Sequence, residues 1–452
     1  MSPALQPRRF AGHAFRGIIA GAIIPGILQR RSPLREPPHC SGQAPFLTAM
    51  AAVKPKPSDP VVRLHVSPLE IAAADWDALL ACEQAPTPFM RHAYLAAMHE
   101  SGSATAKTGW TPSFLTLWRG PALVAACALY LKDHSYGEYV FDWAWASAYE
   151  QHGLAYYPKG LVAPPFTPVP GARLLARDDA ARAMLLDALL AMAKRLKLSS
   201  LHLLFLSPND VVACQAAGLM LRHTVQFHWR NAGYADFDAF LATLAQDKRK
   251  KIRQERRKVS DAGVHFRAVQ GAAISAYDWD FFYRCYERTY LEHGNAPYLH
   301  RDFFARMASE MPENWLLFVA EREGRPIASS LIALTSAATP GVEAIPDRVE
   351  KVAYGRYWGA LERVDCLHFE ACYYQPLQWC IENAYGRFEG GAQGEHKMAR
   401  ALMPVKTDSA HWLAHPAFAD AVERFLDREG AGIENYLEHL DERSPFKSGQ
   451  RR

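Results

Sequence analysis

An internal repeat constrains this chain more than any other feature. "DWDALL" at 75–80 returns as "DWDFFY" at 278–283. "TPFMRHAYLAAM" at 87–98 returns as "APYLHRDFFARM" at 296–307, and "FLTLWRGPALVAACALYL" at 114–131 as "LFVAEREGRPIASSLIAL" at 317–334. The offsets lie between 203 and 209 residues and keep one order. Three ordered echoes point to a duplicated unit whose copies bury their apolar faces in the same way. Each copy reads helix, helix, strand, turn, strand. Arg119-Gly120-Pro121 supplies the turn in the first copy and Glu323-Gly324-Arg325-Pro326 in the second.

A two-stranded hairpin is marginal alone, so further strands must join it. The candidates are "GEYVFDWAW" and "LHLLFL" in the first copy, "VAYGRYWGAL" and "GRFEGG" in the second. Between the last two, "HFEACYYQPLQWCIENAY" places Ala371, Tyr374, Leu377 or Gln378, and Ile381 on one helical face. Pro376 inside it either kinks the helix or marks its first turn. Strand, helix and strand in this order predict an α/β fold with a mixed sheet. The insert at 335–351, with two prolines and a glycine, reads as a surface loop.

Between the copies lies "DFDAFLATLAQDKRKKIRQERRKVSDAG", 236–263. Phe237, Phe240, Leu241 and Leu244 follow helical spacing, Asp236 suits an N-cap and Gly263 a stop. The reading is a single helix. Lys248 to Lys258 then holds eight basic residues in eleven with one Glu, and Ile252 and Val259 keep a thin apolar seam. Net charge is only +4, so this local run, not the overall balance, selects for anions. Lys250, Arg253 and Arg257 are its candidate phosphate contacts, arginine being the better bidentate donor. No nucleic-acid-binding motif accompanies the run, so DNA is not an expected partner.

The eight cysteines are scattered, with no C-x-x-C and no zinc-type spacing, which fits free thiols in a reducing compartment and no metal site. A cytoplasmic location is the expectation. Residues 1–58 differ from the rest: six arginines precede the first acid, Glu36, and the apolar "GIIAGAIIPGIL" is too short to span a membrane. They read as a disordered leader or an over-extended start. No other segment has the length of a membrane span. The expected organisation is therefore 1–58 leader, 59–232 first domain, 233–264 basic linking helix and 265–446 second domain.

The chemistry concentrates in "RFEGGAQGEHKMARALMPV", 387–405. Glycines allow backbone N–H groups to approach an anion, which makes Gly391 and Gly394 candidates. Lys397 and Arg400 share a helical face at i, i+3. His396 adjoins the lysine, and Glu370 is a candidate base with Glu389 and Glu395. Tyr298, Tyr357 and Trp358 are candidate aromatic contacts to a ligand. No serine-hydrolase elbow and no zinc-protease or deaminase motif is present.

"FLATLAQDKRKKIRQERRKVSDAGVHFRAV" and "CLHFEACYYQPLQWCIENAYGRFEGGAQGEHKMAR" resemble, respectively, the basic helical segment and the C-terminal motif of the bacterial FemAB-like proteins of peptidoglycan biosynthesis or recognition. These lie within the GNAT (Gcn5-related N-acetyltransferase) superfamily. The resemblance covers about 60 to 446. It implies tandem GNAT-like domains that move an acyl or aminoacyl group to an amine acceptor, small or nucleotide-linked, such as a cell-wall precursor. It implies acyl-CoA or aminoacyl-tRNA as co-substrate, with no cofactor permanently bound and tRNA as a possible partner. Lys397 matches the lysine that the family links to the reacting centre. "GAQGEHK" departs from the standard coenzyme A loop. The alternative expectation is a non-catalytic peptidoglycan or glycan recognition module.

Overall fold

The computed structural model describes residues 60–335, 350–392 and 394–447; the leader and all but the ends of the 335–351 insert lie outside them. The first half supplies β1 (Val61–His65), β2 (Trp110–Pro112), β3 (Phe114–Arg119), β4 (Ala122–Cys127), β5 (Leu129–Lys132), β6 (Lys159–Val162), β7 (Leu175–Ala176), β8 (Ser200–Leu203) and β9 (Met220–Arg230). The second supplies β10 (Val264–Gln270), β11 (Trp315–Arg322), β12 (Arg325–Leu334), β13 (Val352–Ala360), β14 (Arg387–Ala392) and β15 (Met403–Leu413). A small sheet runs β1-β3-β4-β7 and a large one β10-β11-β12-β13-β14-β9-β15-β8-β6-β5-β2. The fold is mixed α/β. In each half two helices precede a hairpin: Ala73–Ala81 and His92–Glu100 before β3–β4, Ala276–Glu292 and Arg301–Glu310 before β11–β12. The second hairpin turns on Glu323 and Gly324, both at positive φ, which matches the twist of the strands it joins.

The halves exchange their last strands. β9 closes the first half in sequence but pairs with β14 of the second, and β15 pairs with β8 of the first. β9 and β15 pair with each other through Thr224 and Thr407, whose hydroxyls lie 2.8 Å apart. A shared apolar core adds to this. Tyr94 packs edge-on to Phe303 at 5.4 Å and Phe89 edge-on to Tyr354 at 5.3 Å. These edge-on ring pairs join the halves, and such pairs add about 0.5–1.5 kcal/mol each beyond burial.

Three local expectations give way. "GEYVFDWAW" is not a strand: Gly137 and Tyr139 take positive φ, and a helix starts at Trp143. "LVAACALYL" breaks at Ala128, so β4 joins the small sheet and β5 the large one. The linking segment is two helices, Phe237–Thr243 and the basic helix Gln246–Asp261. Leu244 is fully buried and bridges Phe446, and Ala245 N–H donates to Pro445 O at 2.8 Å. That tertiary pairing holds Leu244 and Ala245 extended where local periodicity alone favours helix. The capping expectations hold: the Asp236 carboxylate accepts from Ala239 N–H at 2.7 Å, and Gly263 turns at φ +73.

The site is positioned by a parting of strands. β13 and β14 pair in parallel only from Val352↔Arg387 to Tyr354↔Glu389. Beyond that β13 follows β12 while β14 follows β9, which opens a wedge. The helical segment joining them widens into a π-turn at Glu370–Tyr374, because Pro376 has no N–H to close the preceding α-turn. Ala371, Tyr374, Leu377 and Ile381 are buried, as their shared face predicts.

Candidate functional site

Gly390 leaves room where a side chain would collide: a Cβ there would lie 2.3 Å from Leu402 Cδ2 and 3.1 Å from Phe227 O. Gly394 takes φ +98, open to glycine without strain. The chain then makes a short 3-10 helix, Glu395–Arg400, in place of the longer helix its residues suggest. That turn carries Lys397 back over the strand end. Lys397 Nζ donates to Gly390 O at 2.6 Å and Gly391 O at 3.3 Å. The lysine is 6% exposed, and burial lowers its pKa to about 8.

Glu389 is the last β14 residue paired with β13 and faces His228 on β9, with 3.9 Å between Oε2 and Nε2. Arg387 Nε donates to Glu389 Oε1 at 3.1 Å, while the buried Oε2 has no hydrogen-bond partner. Burial pushes the Glu389 carboxyl up to about 7 and His228 down to about 3. His228 is therefore neutral near pH 7. On the other flank, His396 is exposed and lies 3.4 Å from the Tyr373 hydroxyl. His368 stands 5.5 Å from Trp358 and 5.7 Å from Tyr373 by ring centroid, and desolvation by the neighbouring rings, with the nearby cations, lowers its pKa. His396 and Trp358 thus belong to one chain of contacting rings through His368 and Tyr373, and Lys397 follows His396 in the chain.

Other expected residues are engaged elsewhere. Arg400 is 2% exposed, stacks 3.6 Å over Phe369, and holds Glu255 through hydrogen bonds of 3.1 and 2.9 Å. Its Nη1 also donates to His396 O at 2.7 Å, so it fixes the turn that carries Lys397 rather than displaying a charge to solvent. The Glu370 carboxylate accepts from Arg256 at 3.1 Å and Gln375 at 2.7 Å, which turns it toward the basic helix. Gly391 and Gly394 shape the turn, and no long helix follows them to supply a dipole. Tyr357 follows the other face of β13 and packs on Tyr286 at 5.3 Å, while Tyr298 stacks on Phe166 at 4.8 Å.

The basic helix is partly neutralised. Lys248, Arg253, Arg256 and Lys258 pair with Asp247, Asp238, Glu370 and Asp365. Arg249, Lys250, Lys251 and Arg257 make no ion pair among the described residues. Lys250, Arg253 and Arg257 are exposed as expected. A cleft of about 580 Å³ is lined by Arg253, Arg256, Arg257, Asp238 and Gln378. Ile252 and Val259 are buried, and so is Glu255, the single acid of the run. Its place on the apolar seam was the available signal that it faces inward.

The corresponding parallel pair of the first half, β6–β8, adjoins a closed network. Lys159 is fully buried with Glu138 at 2.7 Å and Asp142 at 2.5 Å, and Tyr156 joins Asp142 to His202. His202 faces His411 of β15, the position that the Thr224–Thr407 pairing relates to His228. These residues come from four separated stretches, and the sequence carries no spacing signal for them.

Among the described residues, no helix is long and apolar enough to cross a membrane, and no group of His, Cys, Asp and Glu could hold a metal ion. No curated protein matches the chain. Among solved structures, FemX is similar over 78% of this chain and 98% of its own, at 9% identity and TM-score 0.45. L-PGS from Bacillus licheniformis is similar over 79% and 97%, at 11% identity and TM-score 0.46. A tandem GNAT protein from the clavulanic acid biosynthesis pathway is similar over 79% and 99%, at 11% identity and TM-score 0.40. A family profile described as FemAB-like, peptidoglycan biosynthesis/recognition, matches residues 67–448. The chain belongs to the FemAB-like family.

Proposed function

We propose that the wedge at the end of β14 transfers an acyl or aminoacyl group from an ester or thioester donor to an amine of a peptidoglycan precursor. One observation carries this reading: Lys397, a buried cation tethered to the Gly390 and Gly391 carbonyls where β13 and β14 part. Family membership supports the peptidoglycan-type acceptor. A neutral amine attacks the donor carbonyl and forms a C–N bond. The carbonyl oxygen becomes an oxyanion, which a protonated Lys397 stabilises. Glu389, one residue before Gly390 and pushed up to about 7, accepts the amine proton. The oxyanion then collapses to the new carbonyl, the C–O or C–S bond breaks, and the leaving tRNA alkoxide or coenzyme A thiolate takes the proton that Glu389 accepted.

The two groups set a pH window. Glu389 must be ionised, which requires pH above about 7, and Lys397 must be charged, which requires pH below about 8. A bell-shaped kcat/KM profile with limbs near those values is expected. A rate that climbs steadily through the alkaline range would refute the cationic role of the lysine. The direct test incubates the protein with a nucleotide-linked muropeptide and either aminoacyl-tRNA or acyl-CoA, and reads the acceptor's mass gain. Stoichiometric acceptor binding with no transfer from either donor would instead support a recognition module.

A tRNA donor would meet the unpaired cations Arg249, Lys250, Lys251 and Arg257. Changing all four to glutamine should flatten the salt dependence of tRNA binding, the log–log slope falling by about 0.7–0.9 for each phosphate no longer neutralised. An unchanged slope in filter binding would remove the basic helix from tRNA recognition.

A further inference from the structure

The register of β12 and β13 slips between Leu331↔Tyr357 and Ile332↔Gly355, so Arg356 is the extra residue of a β-bulge. A bulge re-aims side chains that simple alternation would send to opposite faces. Here it brings Arg356 onto the first half, while the Tyr357 ring packs on Tyr286 of the second and its hydroxyl stays beside the guanidinium. The Arg356 guanidinium lies 5.2 Å over the Phe89 ring and 5.1 Å over the Tyr357 ring, and Nη2 donates to Phe166 O at 2.8 Å. Its Nε is buried with no hydrogen-bond partner. No carboxylate pairs with it among the described residues.

Phenols surround this cation. Tyr357 OH is 3.5 Å from Nη2, and Tyr94, Tyr139 and Tyr290 all lie within its electrostatic reach. Tyr298 adjoins Tyr290 at 5.6 Å between ring centroids. Burial pushes Tyr290 up to about 12 and raises Tyr94 and Tyr298, so these groups stay protonated near neutral pH and cannot neutralise the arginine. They offer hydroxyl donors instead. Tyr139 is 37% exposed, and Arg356, Tyr290, Tyr298 and Tyr357 are each half-buried, so solvent reaches the cluster. A half-buried guanidinium whose buried Nε is idle is incompletely satisfied by the phenols around it. An oxyanion completes it through the flat arginine fork.

We propose that Arg356 and the hydroxyls of Tyr139, Tyr290, Tyr298 and Tyr357 form a binding site for a carboxylate of the acceptor. Charge selects the class. One guanidinium balances a monoanion, whereas a phosphate monoester dianion would leave net negative charge among apolar rings. Topology links the site to the wedge: Arg356 stands two residues past Tyr354, the last β13 residue paired with β14, and Gly390 stands one past its partner Glu389. The identity of the ligand as acceptor rests on the proposed transfer reaction; the carboxylate site does not.

The test uses the full chain and no donor. N-acetylglycine, N-acetylglycinamide and methyl phosphate are titrated by saturation-transfer NMR at pH 8, where the phosphate monoester is a dianion. The acid is expected to bind saturably, the amide and the phosphate monoester at least about tenfold more weakly. Arg356→Gln should abolish binding. Tyr290→Phe and Tyr298→Phe, which keep the rings, should weaken it several-fold with unchanged Tm, and Lys397→Met should leave it intact. Equal binding of acid and amide, preference for methyl phosphate, or full binding by both phenylalanine variants and Arg356→Gln would overturn the site. A Lys397→Met variant that fails in transfer but binds the acid separates the two readings. Binding of the acid without any transfer by the native protein would leave this site standing and sink the reaction.

Discussion

Replacing Lys397 with methionine should reduce turnover by about 100- to 1000-fold, the usual consequence of losing one preorganised oxyanion donor. The same change should stabilise the fold. The folded state holds this ammonium 6% exposed, with a pKa of about 8 against an ordinary 10.5. A lysine whose folded pKa is depressed releases its proton on folding at intermediate pH, so it costs stability wherever it must stay charged. That cost is largest below pH 8, shrinks as pH rises from about 8 to about 10.5, and vanishes above. A fall of this size corresponds to roughly 3 kcal/mol at most. Methionine fills similar volume without the charge, so urea denaturation at pH 7 should show a gain that disappears near pH 11. Turnover within threefold of the native protein would remove Lys397 from the chemistry. A stability loss of several kcal/mol would mean that its hydrogen bonds to Gly390 and Gly391 matter chiefly as structure.

Glu255→Gln should cost about 3–5 kcal/mol, because it leaves the Arg400 guanidinium buried and uncompensated. Arg400 is 2% exposed and meets both Glu255 oxygens, and Tyr374 donates its hydroxyl to the same carboxylate. Removing Arg400 as well, in Glu255→Gln/Arg400→Met, should recover much of that loss, since the unpaired charge goes with it. A double-mutant cycle read by denaturant unfolding measures the interaction. Additive effects of the two changes would sink the account. Activity should fall in both variants, because Arg400 also holds His396 O and thereby the turn carrying Lys397.

Much of the architecture was legible. The repeat predicted two copies of helix, helix and hairpin, and both are present in order. Apolar spacing at Ala371, Tyr374, Leu377 and Ile381 identified a buried helical face, because a 3.6-residue period survives in any setting. The capping residues Asp236 and Gly263 also act locally, and they hold. "GEYVFDWAW" failed because its strand-forming residues are overridden by the positive φ of Gly137 and Tyr139 and by the buried pairing of Asp142 with Lys159. The basic run misleads in one respect, because part of its neutralising charge is remote in sequence. Glu370 and Asp365, more than a hundred residues away, neutralise two of its cations.

The site divides in the same way. Residue types and local order determined that a glycine-rich strand end would be followed by a lysine and an arginine, and the resemblance to FemAB-like proteins singled out Lys397. Which way each of those charges turns was a tertiary matter. Arg400 is turned inward because Glu255, 145 residues earlier, lies on a seam that packs against it. Lys397 is turned to the strand end because β14 follows β9 and leaves β13 after Glu389. The sequence alone determined the repeated units, their periodic faces and the chemical groups available. The exchange of β9 and β15, the bulge at Arg356 and the protonation of Glu389 and Lys397 depend on desolvation and on pairings across the whole chain, and only the tertiary structure decided them.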